Sequence, residues 1–323
     1  MIGRESARRR DGFALMAALW LVVIVGVTGY ELSIRSRTRR LAVANTLEHV
    51  QAAAAAEAAL ETARAGLENR LRHPLDGRAR FVATQALDQW SDLAFLRGDT
   101  ITLGDERATA DVYDASTRVQ INRATQGDLR RLLVALPLDA GLADRLAQRI
   151  MDWRDPDDFR RARGAERDDY LRAGARRLPA NGPFDRVEDL RDVDGMTAEV
   201  YARLAPLVTV LGAGQINLNA ASATVLRSLP GLGDEAIEVI VRSQNGSAPL
   251  RSLEELMNQL SSSARTAITD AGGDLTQRIT FEAREVIVEA EGWVDGSASP
   301  VRAEAMFTRS GGAFFTVWRR IDR

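Results

Sequence analysis

From Phe13 to Ile34 the chain reads FALMAALWLVVIVGVTGYELSI, and as far as Tyr30 that run contains no charged residue. As a helix rising about 1.5 Å per residue it spans roughly 30 Å, the thickness of one bilayer core, and it is too long for an ordinary buried core helix. Whatever else the chain builds must hang from this segment.

The flanks narrow its meaning. Met1 to Gly12 is short and arginine-rich (Arg4, Arg8, Arg9, Arg10), with Asp11-Gly12 directly before the apolar run. A secretory signal is instead cut after its apolar core, at small residues, and no such site follows here. Strong helix formers follow: residues 41–72 are dense in Ala, Glu, Leu and Arg, with no Gly before Gly66 and no Pro before Pro74. Leu60, Leu67 and Leu71 fall on one face. The apolar run is therefore read as the transmembrane part (13–34) of a spine helix that continues over 35–75. Arg35, Arg37, Arg39 and Arg40 balance the arginines upstream, so charge bias leaves the orientation open. A plain signal anchor and the single helix of a small membrane enzyme are the competing readings of the run.

Composition removes much chemistry. The 323 residues, 27% charged and 45% hydrophobic, suffice for folded structure beyond the anchor, and the formal net charge of -2 offers no basic footprint for nucleic acid. All 43 basic residues are Arg, which excludes a P-loop lysine and Schiff-base chemistry. Cysteine is absent, and the two histidines, His49 and His73, both fall on the expected spine. Thiolate sites and nearly every histidine-based triad are thereby excluded, and no catalytic residue is assigned. Carboxylates are plentiful, but no pattern sets two of them across an aromatic-lined cleft as a glycosidase requires.

The Leu stripe needs a cover, and strand-like segments supply one. TITL (100–103) and ATADVY (108–113) flank a turn at Gly104-Asp105, and RITFEAREVIVEAEGWV (278–294), PVRAEAMFT (300–308) and AFFTVWRRI (313–321) follow late in the chain. Between them lie short amphipathic helices in Pro/Gly/Asp-rich loops, with a weak repeat. Val119-Gln-Ile-Asn122 is echoed by Gly214-Gln-Ile-Asn217, and PFDRVEDLRDV by PLRSLEELMNQ. Repeated helical units bury faces that one copy leaves open. The expected organisation is α+β: a leader (1–12), the spine, a first sheet segment (76–120), an inserted all-α domain (121–275, lobes about 121–212 and 213–275) and a second sheet segment (276–323).

A basic leader ending in Gly, then an aromatic, then an apolar spine resembles the type III signal of type IV pilins and type II secretion pseudopilins. The ordered motifs INRAT-x-x-DL, IMDWRDPDD, GAERDDY, NGPFDRVEDLRDVDGM, YARLAPLVTV and INLNAASATVL resemble the K-type minor pseudopilins, the type II secretion system protein K family. The resemblance implies a pilin-like spine helix packed on an antiparallel sheet, with an insert of two helix-hairpin-helix or SAM-like lobes. It implies cleavage between Gly12 and Phe13 by the prepilin peptidase and methylation of the new terminus. Most pilin-like chains carry Glu at the fifth mature residue, where it can pair with a neighbouring subunit's amine inside the membrane. Here that residue is Ala17, a feature of the K-type proteins, which are proposed to cap the filament. The family further implies a single pass through the bacterial inner membrane with the N-terminus cytoplasmic and the bulk periplasmic. Its partners are the I- and J-type minor pseudopilins, met through spine and sheet, with exported proteins as further candidates.

Two constellations remain. Asp152, Asp155, Asp157, Asp158, Glu166, Asp168 and Asp169 crowd into one tract of eighteen residues that contains Pro156 and Gly164. Clustered hard oxygen donors suit Ca²⁺, which accepts irregular geometry, although the EF-hand order is absent. The resemblance also implies calcium in this domain, and Asp155, Asp157, Asp158, Glu166, Asp168 and Asp169 are the candidate ligands; solvated helix ends are the alternative. Leu229-Pro-Gly-Leu-Gly233 is the turn of a helix-hairpin-helix, and Val193-Asp-Gly-Met196 is a looser copy. Gly231 and Gly233 would present backbone N–H groups to a phosphate in a membrane-tethered DNA receptor, the alternative function. The adjacent Asp192, Asp194, Asp234 and Glu235 oppose it, so nucleic acid is not the expected partner.

Overall fold

The computed structural model describes residues 5–72, 100–245, 249–297, 299–310 and 313–322. Helix α1 (Glu5–Arg72) is continuous for 68 residues, roughly 100 Å at the standard rise. Every side chain from Met16 to Val50 is exposed, and this half holds the stretch long and apolar enough to cross a membrane. Beyond Gln51 one face is buried: Ala52, Ala55, Ala56, Ala59, Leu60, Ala63 and Leu67 are each at most 2% exposed, at the three- and four-residue spacing of a helix stripe. Residues 73–99, including His73, the last spine positions and the start of the first sheet segment, lie outside the described residues, as does the side chain of Leu71.

Strands β1 (Ile101–Leu103) and β2 (Glu106–Asp114) form a hairpin at Gly104, whose φ of +74° suits a residue without a side chain. After β2 come β3 (Val119–Gln120), α2 (Gln126–Ala135), α3 (Ala140–Arg154), α4 (Arg167–Arg172), α5 (Ala198–Leu204) and β4 (Val208–Thr209). A second series follows: β5 (Ile216–Asn217), α6 (Ala223–Leu226), α7 (Asp234–Gln244), α8 (Leu253–Met257), α9 (Ser262–Arg278) and β6 (Ile279–Thr280). The chain then returns through β7 (Glu285–Val294), β8 (Val301–Ser310) and β9 (Ala313–Ile321). One antiparallel sheet, ordered β1-β2-β7-β8-β9, packs on the alanine face of α1. Gly292 lets the sheet lie close on α1: a Cβ there would lie 2.2 Å from the Ala52 carbonyl oxygen and 2.5 Å from the Ala56 nitrogen.

The helical domain is inserted between two strands that are hydrogen-bonded neighbours. Asp114, the last residue of β2, pairs with Val286 at the start of β7, so the chain leaves and rejoins the sheet at one place. Gln51 donates to Glu106 at the start of β2 (3.0 Å), and the buried face of α1 extends from there to Leu67 while residues 16–50 stay bare. β2 therefore runs away from the bare half, and the insert sits at the end of the sheet far from it. Arg186 and Asp322 join the insert to the chain after β9 with two contacts, 2.6 and 3.1 Å. The long strand expected over 278–294 is broken. Ile279–Thr280 pairs with β5, Thr280 and Glu282 close a local turn through the threonine hydroxyl, and only Glu285–Val294 joins the sheet.

Each half of the insert is closed by a two-residue parallel pair, Val119–Gln120 with Val208–Thr209 and Ile216–Asn217 with Ile279–Thr280. Next in the chain, Ile121 and Leu218 donate to the carbonyls of Thr209 and Thr280. Asn122 then grips Phe184 by both backbone groups, and Asn219 grips Leu250. Thr125 and Ser222 cap the following helices, α2 and α6. The repeat thus aligns Val119–Thr125 with Ile216–Ser222. The Gln-Ile-Asn echo matches Asn122 to Asn217, two residues early, because the equivalent side-chain role belongs to Asn219. Both halves share one apolar core running from Val119 to Ile279.

Candidate metal centre

The acidic tract begins at the C-terminus of α3, where Asp152 faces inward and its side chain is fully buried. A buried carboxylate needs partners, and the loop of residues 155–166 wraps around this one. The Arg161 backbone N–H donates to Asp152 Oδ2 (3.2 Å), and Arg161 Nη1 reaches Asp152 Oδ1 and Asp155 Oδ2, both at 2.5 Å. Gly164 is required beside it, since any Cβ there would fall 1.7 Å from Asp152 Oδ2. Aromatic packing fixes the surroundings: Trp153 stacks on Phe184 (6.1 Å between centroids) and meets Tyr170 edge-on (5.5 Å), and the Tyr170 hydroxyl accepts from the Asp194 backbone.

Within this frame Asp155, Asp157 and Glu166 converge, each offering an oxygen within 4.8 Å of the other two. Asp155 Oδ1 and both oxygens of Glu166 are buried without a hydrogen-bond partner, and Glu166 is only 4% exposed. Such groups are costly unless something else satisfies them. Burial, and after it the carboxylates of Asp152, Asp155, Asp158 and Asp157, push the Glu166 carboxyl up to about 7. Burial also raises Asp152 against the lowering effect of Arg161. Asp157 Oδ1 accepts from the Phe159 backbone N–H (2.9 Å), and three converging carboxylates with no nitrogen or sulfur donor among them fit a hard divalent cation, the remaining ligands of a calcium or magnesium ion being backbone carbonyls and water.

The other three candidate ligands are otherwise engaged or placed apart. Asp158 accepts from the Asn181 side chain (2.9 Å). Asp168 and Asp169 lie in the first turn of α4, where Asp169 accepts from the Glu166 backbone and pairs with Arg172 at 2.6 Å and Arg160 at 3.4 Å. Arg161 is one of five arginines in the tract, with Arg154, Arg160, Arg163 and Arg167, and no local sequence pattern distinguishes it.

At the second constellation, Gly231 has φ +77° and is packed tightly: a Cβ would lie 2.7 Å from Ala271 Cβ and 2.8 Å from the Ala267 carbonyl. Gly233 is the residue before α7 and faces open space. The adjoining acids are engaged within the protein, Glu235 accepting from Ser261 twice and Asp234 pairing with Arg227 at 3.3 Å. The fold adds to these sequence neighbours Arg130 and Arg131, which α2 brings to the same groove. Arg131 is committed to the Ser228 carbonyl and to Asp128. Gly12 and Phe13 lie in the first turns of α1, where side chains are outside the described residues.

Residues 106–213 match the family described as "Type II secretion system (T2SS), protein K". The type II secretion system protein K of Klebsiella pneumoniae is 28% identical over 224 residues, 65% of this chain and 66% of that protein. Its counterpart from Dickeya chrysanthemi is 29% identical over 171 residues, 51% and 43% of the two chains. The matched stretch thus spans about two thirds or less of these relatives' own length. A chain in the crystal structure of the GspK-GspI-GspJ complex from the type 2 secretion system of enterotoxigenic Escherichia coli superposes with a TM-score of 0.65, covering 89% of this chain and 99% of that one at 18% identity. At that identity the likeness establishes a shared fold.

Proposed function

From the match of residues 106–213 to the type II secretion system protein K family, we propose that this chain is a member of that family, serves as a minor pseudopilin at the tip of a periplasmic pseudopilus and helps to start the assembly of that filament during protein export. The observation that carries this reading is the division of α1. Its first half is bare and apolar, its second half carries the sheet, and a bulky insert sits at the end of the sheet away from the membrane segment. A subunit of that shape can stand on others but leaves no room for another above it. The bare half offers Leu41, Val43, Leu47 and Val50 to neighbouring spine helices, and a complex of the GspI and GspJ kind is the natural set of partners. Anchoring in the inner membrane with the insert in the periplasm, and processing between Gly12 and Phe13, belong to the same reading. So does a division of the insert into two lobes of helix-hairpin-helix character, which the paired strand closures and the Gly231 turn support.

Calcium is the ion proposed for Asp155, Asp157 and Glu166. It would neutralise their mutual repulsion and fix the loop between α3 and α4, a structural rather than a catalytic service. Co-purification tests the assembly reading: the full chain, extracted in detergent with I- and J-type minor pseudopilins, should emerge as a stoichiometric complex, and separate elution would count against it. A second reading, duplex capture at the hairpin, rests on Arg130 in the Gly233 groove, whose pairing with Asp144 is long at 3.8 Å while Arg131 and Arg227 are held by Asp128 and Asp234. Polarisation of labelled duplex at low salt decides it, since phosphate contacts would bind there and weaken steeply with added salt.

A further inference from the structure

Resting on the metal reading above, we infer that Arg161 is the positioning residue of the acidic centre, holding Asp155 by one oxygen so that the other stays turned toward Glu166 and Asp157. The geometry is asymmetric. One guanidinium nitrogen, Nη1, touches Asp152 Oδ1 and Asp155 Oδ2 at 2.5 Å each, while Asp155 Oδ1 is buried with no partner beside the equally unpartnered Glu166. Asp152 lies outside the converging set; both its oxygens are taken by Arg161, one by the backbone and one by the side chain. Arg161 therefore bridges a carboxylate that is wholly structural to one that can ligate. Its own place is set by the loop, because the Gly164 backbone N–H donates to the Arg161 carbonyl (3.0 Å) and the absent side chain of Gly164 leaves room for Asp152. Outer partners of this kind orient ligating carboxylates, and their loss typically weakens metal binding by about 10- to 100-fold.

The sign of the effect separates orientation from charge. Removing a cation near a divalent ion removes a repulsion and by Coulomb's law favours the ion's binding. If Arg161 acted only as a resident counter-charge that the metal must overcome, its neutralisation would tighten binding. If it positions Asp155, binding weakens despite the favourable change in charge. A residue that competes and a residue that orients thus give opposite results in one titration.

The experiment is a calcium titration by calorimetry of the full chain in detergent after chelator treatment, comparing wild type with Arg161→Gln, Arg161→Lys and the double variant Asp152→Asn/Arg161→Gln. Arg161→Gln should bind calcium about 10- to 100-fold more weakly, and Arg161→Lys, which can still touch both carboxylates, should recover part of that loss. The double variant removes the buried charge that Arg161 would otherwise leave unpaired. It should keep the wild-type melting temperature without metal and still bind weakly. Wild-type or tighter affinity in Arg161→Gln, or in the double variant if the single one does not fold, overturns the assignment while leaving the metal reading intact. Absence of any calcium heat from the wild-type chain overturns the metal reading, and the role of Arg161 with it.

Discussion

Asn219 holds Leu250 as Asn122 holds Phe184, the side-chain oxygen accepting from the backbone nitrogen and the side-chain nitrogen donating to the carbonyl. In each half the asparagine follows the strand pair that closes the core and precedes the cap of the next helix. Asn219 also donates to the Phe281 carbonyl (2.9 Å) and is 3% exposed. Asn219→Ala would strand three backbone groups, the two of Leu250 buried and the Phe281 carbonyl part-buried, at a cost of roughly 3 kcal/mol. Chemical denaturation of the purified chain should register that loss, with a smaller one for the part-buried Asn122→Ala; equal and negligible effects would show that water replaces both grips.

Gly292 sets how closely β7 can lie on α1. Gly292→Val puts atoms where the backbone of Ala52 and Ala56 already is, and prying helix from sheet should cost about 3 kcal/mol. Gly29, in the bare half of α1, has nothing within 4 Å of its Cβ position. Gly29→Ala should shift stability by no more than about 1 kcal/mol. Similar melting temperatures for Gly292→Val and wild type would contradict the packing.

The raised carboxyl of Glu166 makes a pH prediction with a definite sign. Its folded value, about 7, stands above the ordinary 4.5, so between those values the folded chain binds a proton that the unfolded chain has released. Stability without metal should therefore decline as pH rises through that window. Glu166→Gln mimics the protonated form. Without metal it should melt above wild type near pH 8 and alongside it near pH 5, and a constant difference between the two proteins across that range would refute the assignment.

Saturating calcium should oppose the same decline, because the ion binds the ionised cluster. At a hundredfold excess over Kd the gain is about 2.7 kcal/mol, read as a rise in melting temperature that chelator reverses. Magnesium should do less, since its strict octahedral demands suit this irregular set poorly. Asp155→Ala with Glu166→Ala should abolish the response. Superimposable curves with calcium and with chelator would mark the cluster as metal-free.

Processing offers a test of the leader. Gly12→Val should leave the precursor uncut by the prepilin peptidase, and mass spectrometry of the wild-type chain should find a methylated Phe13 as its first residue. An unprocessed wild-type mass in a strain with active peptidase would remove the assignment.

The large elements were legible because their signals are local. The apolar run and the Ala/Leu stripe announce α1, and alternation announces β2, β8 and β9, the last with its bounds at Ala313–Ile321. The insert was legible as a change of texture at Val119. What local pattern could not supply was convergence. Seven carboxylates look alike in the sequence, and only the fold decides that Asp169 serves the first turn of α4, that Asp158 meets Asn181, and that Asp155 and Glu166 keep oxygens without partners. The arginines of the hairpin groove were missed for the same reason, because Arg130 and Arg131 arrive from another helix. The two-residue slip in the repeat came from matching letters, whereas the structure repeats a grip on the backbone.

The junction of insert and sheet has a mechanical consequence. The helical head is joined to the sheet through β2 and β7, which pair residue for residue from Glu106–Val294 to Asp114–Val286. Load applied to the head along the direction of these strands acts on their hydrogen bonds together, in shear, whereas a tug across them at the junction would open them in sequence. The head is thus mounted to withstand a pull along β2 and β7, and to yield most readily to one across them.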